Sequence, residues 1–79
     1  MNVDDRLNDF KARMAVSDIK QIDLAMEMSC SQVQISNWMN GRVQMPDDQY
    51  DRMDRAIERL ERAEQAAREA RERVMREED

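Results

Sequence analysis

The sequence predicts an all-α fold, and three observations carry that reading. Alternating runs of β-branched residues, the mark of strands, are absent, while Ala, Met, Glu, Gln, Leu and Arg, all good helix formers, dominate. One glycine, one proline and one each of Trp, Tyr and Phe leave little material for the turns and packed faces of a sheet. Apolar residues recur instead at helical spacing along most of the 79 residues. Four to five helical segments account for the chain, the last two fused into one long charged C-terminal helix.

The first helix covers roughly residues 4 to 15. Leu7, Phe10 and Met14 form its apolar stripe at i, i+3 and i+7, and Asp4 and Asp5 favour the dipole in its first turn. Ser17 and Asp18 interrupt the pattern and are the expected caps for a second helix from about Lys20 to Met28. A third helix runs from about Gln32 to Met39, closed by Gly41 at the position where a left-handed residue is favourable. Pro46 opens the next helix at its first position, followed by Asp47 and Asp48. Nothing from there to about Glu77 breaks helix.

Acid-before-arginine pairs at i,i+4 support that last helix: Asp48/Arg52, Asp51/Arg55, Glu58/Arg62, Glu64/Arg68, Glu69/Arg73 and Glu72/Arg76. Each stabilises an isolated helix by about 0.2–0.5 kcal/mol. Tyr50, Met53, Ile57 and Leu60 read as the half that faces a core. Beyond it, Ala56, Leu60, Ala63, Ala67, Ala70 and Val74 recur at spacings of 4, 3, 4, 3 and 4, a narrow heptad seam. Two readings stand side by side: a solvated single helix, or a dimer contact in which Tyr50, Ile57, Leu60, Ala63, Ala67, Ala70 and Val74 take part. The organisation is therefore a domain over residues 1–60 and a charged helical extension over 61–79.

Within the domain, residues 20–42 hold the most information. Leu24, Ala25, Met28, Cys30, Ile35 and Trp38 are small or apolar at the spacings that lock two short helices together. Gln32, Val33, Ser36, Asn37 and Asn40 fall on one arc of roughly 140° of the third helix, opposite Ile35 and Trp38. Gln and Asn carry donor and acceptor side by side, which suits them to an adenine edge, and a valine can pack on a thymine methyl. Ser31 is the natural N-cap. Gln21, at a helix N-terminus, can bring a backbone amide to a phosphate. Taken singly, each of these polar residues is ordinary surface; the coincidence with an apolar two-helix core gives them meaning.

This segment, closely over Lys20 to Arg42 and loosely over about 55 residues, resembles the helix-turn-helix of the lambda-repressor/Cro (XRE-type) family. The marks are Gln21 opening the first motif helix, Ala25 at the crossing, the Ile35 and Trp38 pair, and Asn40-Gly41-Arg42 after the reading helix. The resemblance implies a lambda-repressor/Cro-like domain that reads bases with Ser31, Gln32, Val33, Ser36 and Asn37. It implies a phosphate clamp of Gln21, Asn40 and Arg42, with Lys20 nearby. It also implies a homodimer on a palindromic operator in double-stranded DNA, half-sites about 34 Å apart, acting as a repressor in a bacterial cell or phage-infected host. Three positions depart from the pattern. Ser29 stands where glycine is usual, Lys20 replaces a Ser or Thr cap, and Met39, at the edge of the buried arc, is expected to be partly exposed.

Charge complicates the picture, since the net charge is −5 and the pI about 4.7. Residues 1–45 hold five Lys/Arg against six Asp/Glu and residues 46–79 eight against twelve, so −1 and −4 sum to −5. The acidity belongs mainly to the tail. Around the motif Lys11, Arg13, Lys20 and Arg42 outnumber Asp18, Asp23 and Glu27. An acidic interaction module, or a DNA mimic that binds no DNA, is the competing expectation. Histidine is absent and no phosphate-binding glycine loop exists, so neither a catalytic site, a metal site nor a cofactor is expected. Lone Cys30 reads as a small apolar filler at a turn. No apolar run is long enough for a membrane span, and a cytoplasmic protein without a small-molecule ligand is expected.

Overall fold

A computed structural model describes residues 3–77, with side chains described over 5–74. It is all-helical: α1 (Val3–Val16), α2 (Gln21–Met28), α3 (Gln32–Met39) and α4 (Asp47–Glu77). The two fused C-terminal segments are the single 31-residue α4, which at 1.5 Å per residue spans about 46 Å. It sets the long axis of a molecule measuring 51 × 26 × 18 Å.

Three of the helices end in one way. After α1, the N–H of Ile19 donates to the carbonyl of Met14 (2.8 Å) and that of Asp18 to Ala15 (3.3 Å). After α2, Cys30 donates to Ala25 (2.9 Å) and Ser29 to Met26 (3.2 Å); after α3, Arg42 donates to Asn37 (3.0 Å) and Gly41 to Trp38 (3.2 Å). These are Schellman closures, which require a left-handed residue in the middle. Asp18, Ser29 and Gly41 supply it, with φ of 55°, 57° and 74°. Ile19 and Cys30, next in the chain, pack against the core as the motif demands.

The N-termini differ. Ser31 caps α3, its Oγ accepting from the Gln34 N–H at 3.1 Å. The cap of α2 is Lys20 itself, rather than Ser17 or Asp18: Asp18 is spent closing α1. A lysine has no acceptor to offer, and Asp23 answers from inside the helix, its Oδ2 accepting from the Lys20 N–H at 3.1 Å. Helix α4 starts at Asp47, one residue later than expected, with the Pro46 carbonyl accepting from Gln49 at 2.9 Å.

One apolar core joins the four helices. Leu7, Phe10 and Met14 enter from α1, Leu24, Ala25 and Met28 from α2, Ile35, Trp38 and Met39 from α3, and Tyr50, Met53, Ala56 and Ile57 from α4, with Met45 between. The Phe10 and Tyr50 rings lie 6.4 Å apart and tilted by 35°, within the range of favourable aromatic pairs. Arg6 lays its guanidinium over the Tyr50 ring, 4.1 Å from the centroid. Met39 is only 2% exposed, which corrects the expectation of partial exposure: α3 sinks far enough for its last apolar residue to join Trp38.

Ion pairs tie α4 to its neighbours. Arg13 grips Asp54 at 2.5 Å and Glu61 at 2.8 Å, fastening α1 to α4, and Arg59 holds Glu27 of α2 at 2.5 Å. Of the i,i+4 pairs expected along α4, Glu58/Arg62 (2.6 Å) and Glu64/Arg68 (3.4 Å) form. Glu64 also reaches Arg71 at 3.5 Å. No ion pair joins Asp48 to Arg52, Asp51 to Arg55 or Glu69 to Arg73 among the described residues, and the Arg76 side chain of Glu72/Arg76 lies outside them. Local amides take some of these groups instead: Gln49 donates to Asp48 at 3.4 Å and accepts from Arg52 at 3.5 Å, and Gln65 donates to Glu69 at 3.1 Å. No helix among the described residues is long and apolar enough to cross a membrane.

Candidate nucleic-acid interface

Helix α3 is uncharged along all eight residues, in a chain of which 39% is charged. Ile35 (0% exposed), Trp38 and Met39 anchor one side of it in the core. Gln32, Val33 and Asn40 stand exposed on the other, with Ser36 and Asn37 half-buried beside them. Val33 is 69% exposed, so its methyl groups are open to a contact from outside. The arc drawn from sequence is thus one continuous surface.

Its hydrogen-bonding capacity is partly committed. The Ser31 hydroxyl oxygen is occupied by the cap, leaving its proton to donate. Asn40 donates from Nδ2 to Ser36 Oγ at 3.2 Å, which orders both side chains and leaves the Asn40 carbonyl open. The amides of Gln32 and Asn37 make no side-chain hydrogen bond among the described residues. Those two side chains can present a donor and an acceptor together.

Cations stand at the edges. Lys20 is exposed at the start of α2, next to half-buried Gln21, and Arg42 is exposed beyond Gly41. Among the described residues no ion pair within 4.0 Å includes Lys11, Lys20 or Arg42. Arg13, counted from sequence among the cations near the motif, is not one of them: Asp54 and Glu61 hold it on α4 and push its pKa further up. Asp23 uses one backbone donor at the start of α2, so Gln21 has fewer free N–H groups beside it than a bare helix end provides.

Two residues absent from the sequence-derived set join the surface. Asn8 and Lys11 of α1 line a recess with Met39, Asn40 and Gly41, bringing an ammonium group to the C-terminal end of α3. Asn8 carries no local signal and Lys11 only its place among the cations around the motif, because the contact depends on how α1 packs. The dimerisation set divides. Tyr50 (2%) and Ile57 (0%) are buried in the protomer's own core and are unavailable to a second copy, since α4 turns that face to α1 and α2. Leu60 is half-buried, and Ala63, Ala67, Ala70 and Val74 are exposed.

The acidic side of the molecule is separate. Asp5, Asp9, Asp51 and Asp54 surround Arg6 and Tyr50 in a recess built from α1 and α4 alone. No group of three or more His, Cys, Asp or Glu among the described residues is arranged to hold a metal. Compared with protein-family models, with curated proteins and with solved structures, the chain matches none of them.

Proposed function

We propose that this chain is a sequence-specific DNA-binding regulator, built as a lambda-repressor/Cro-like helix-turn-helix domain. In this reading α3 lies in the major groove, and Gln32 and Asn37 contact base edges. Val33 contacts a thymine methyl, while Ser31 and Ser36 complete the base-reading surface. Lys20, Gln21, Asn40 and Arg42, joined by Lys11, hold phosphates. The observation that carries the reading is the uncharged amide-bearing face of α3, seated rigidly on Ile35, Trp38 and Met39. A surface meant only for solubility in so charged a chain has no reason to exclude charge there.

As a repressor it acts by occlusion: a homodimer on an inverted repeat covers a promoter. The seam of half-buried Leu60 and exposed Ala63, Ala67, Ala70 and Val74 of two α4 tails supplies the pairing surface. Alanine buries little apolar area, so that contact is weak and DNA reinforces it. Selection of bound duplexes from a random library tests the proposal; recovery of an inverted repeat supports it, and recovery of no preferred sequence refutes it.

The acidic recess of Asp5, Asp9, Asp51 and Asp54 favours a second reading, an interaction module or DNA mimic that receives a basic partner. The uncharged face of α3 has no use in that reading.

A further inference from the structure

Helix α4 sorts its side chains into three sectors. At 100° per residue, Tyr50, Met53, Ala56, Ile57 and Leu60 take an apolar arc of roughly 120°, while Asp51, Asp54, Glu58 and Glu61 flank it on one side. Arg52, Arg55 and Arg59 occupy a basic arc of roughly 60° on the other. Asp51 and Asp54 face α1, where they line the recess under Arg6, while Asp48 lies one turn before Arg52 on the basic arc and accepts from Gln49. The arginines face α2, where all three line a recess with Glu27 and Met28.

Three guanidiniums meet one carboxylate there, a local charge of +2 (3 − 1) in a protein of net charge −5. Only Arg59 is paired, with Glu27. Arg52 reaches no more than the amide of Gln49, at 3.5 Å, and neither it nor Arg55 has a carboxylate within 4.0 Å among the described residues. Arg52 also lies close enough to Cys30 for its charge to oppose the upward push that burial gives the thiol. Cys30 directly precedes Ser31, the cap of α3. Met28, which lines the recess, lies three residues before Ser31, so the recess sits at the α2 side of the turn into the helix whose C-terminal end is flanked by Lys11 and Arg42.

We propose that Arg52 and Arg55 form a second phosphate-binding edge, taking a phosphodiester of the DNA backbone beside the N-terminal end of α3. The inference rests on the DNA-binding reading and adds to it a contact from α4. Arg59, fixed by Glu27, sets the wall of the recess, and the two unpaired guanidiniums supply the charge. Guanidinium suits the task because its planar fork matches two phosphate oxygens.

The test is the salt dependence of duplex binding by the full-length protein, measured between about 50 and 200 mM salt. Arg52→Ala and Arg55→Ala should each weaken all duplexes about equally and lower the slope of log K against log salt by about one unit. Arg52→Lys and Arg55→Lys should restore most of that slope. Thermal melts show that the variants fold. A wild-type protein that binds no duplex overturns the DNA reading itself. A wild type that binds, with alanine variants of unchanged slope, overturns this edge alone. Saturable shifts of the Arg52 and Arg55 Nε resonances with inorganic phosphate, joined to an unchanged slope, would assign the recess to a free anion and overturn the backbone contact.

Discussion

The proposed reading of DNA needs α3 held at both ends, and the two residues that do so share one backbone conformation and differ in fitness for it. Ser29 before α3 sits at φ 57° and Gly41 after it at φ 74°. A side chain at positive φ strains the backbone by about 1–2 kcal/mol. Ser29→Gly removes that strain and increases the conformational entropy lost on folding, an offset of about 0.4–1 kcal/mol. The net is a stabilisation of about 0.5–1 kcal/mol, or a rise of about 2–8 °C in Tm for a domain of this size. Gly41→Ala is the mirror experiment. A Cβ at Gly41 meets nothing within 4 Å, so crowding is absent and only the backbone term of about 1 kcal/mol remains, lowering Tm. Thermal melts of the two variants, followed by circular dichroism at one protein concentration, give both values. A stabilising Gly41→Ala, or a Ser29→Gly that lowers Tm, would refute the claim that left-handed closures set the ends of α3.

Other consequences follow from the packing. Arg13→Ala should cost about 1 kcal/mol, at the upper end for an exposed pair because one guanidinium serves two carboxylates; its loss should leave DNA affinity unchanged once the protein is folded, and denaturant titration with a binding assay reads both. Burial raises the Cys30 thiol above its ordinary pKa, so less thiolate is present at neutral pH and alkylation should be slower than for a free cysteine. The rate should climb only as pH rises toward the raised pKa, as mass spectrometry of timed iodoacetamide reactions will show. A chain ending at Arg62 should keep α1–α3 folded and dimerise less well, with little change on a single half-site. Equal dimer constants by sedimentation would return the tail to a solvated helix.

Much of this was legible in the sequence because the signals are local. The stripe Leu7, Phe10, Met14, the Gly41 stop and the unbroken run after Pro46 place α1, α3 and α4 to within a residue or so. The need for a left-handed residue at Ser29 is likewise a property of a short turn between helices. What escaped is tertiary. Arg13 looks like a free cation until α1 is laid on α4 and meets Asp54 and Glu61. Arg52 and Arg55 look neutralised by Asp48 and Asp51, yet neither pair forms: Asp51 turns toward α1, and Asp48 accepts from the Gln49 amide instead. Met39 is buried because of the angle at which α3 meets the rest, and no spacing rule encodes that angle. Asn8 and Lys11 join the candidate surface for the same reason.

The uncharged face of α3 is proposed to read base sequence. The most direct measurement is the affinity of wild type, Gln32→Ala and Asn37→Ala for a selected duplex and for a scrambled duplex of equal length at one salt concentration. The wild type should show a clear preference for the selected site. Each substitution should cost about 1–3 kcal/mol on that site and relax the preference at one base position, with little change on the scrambled duplex. Unchanged affinity and preference in both variants would contradict it.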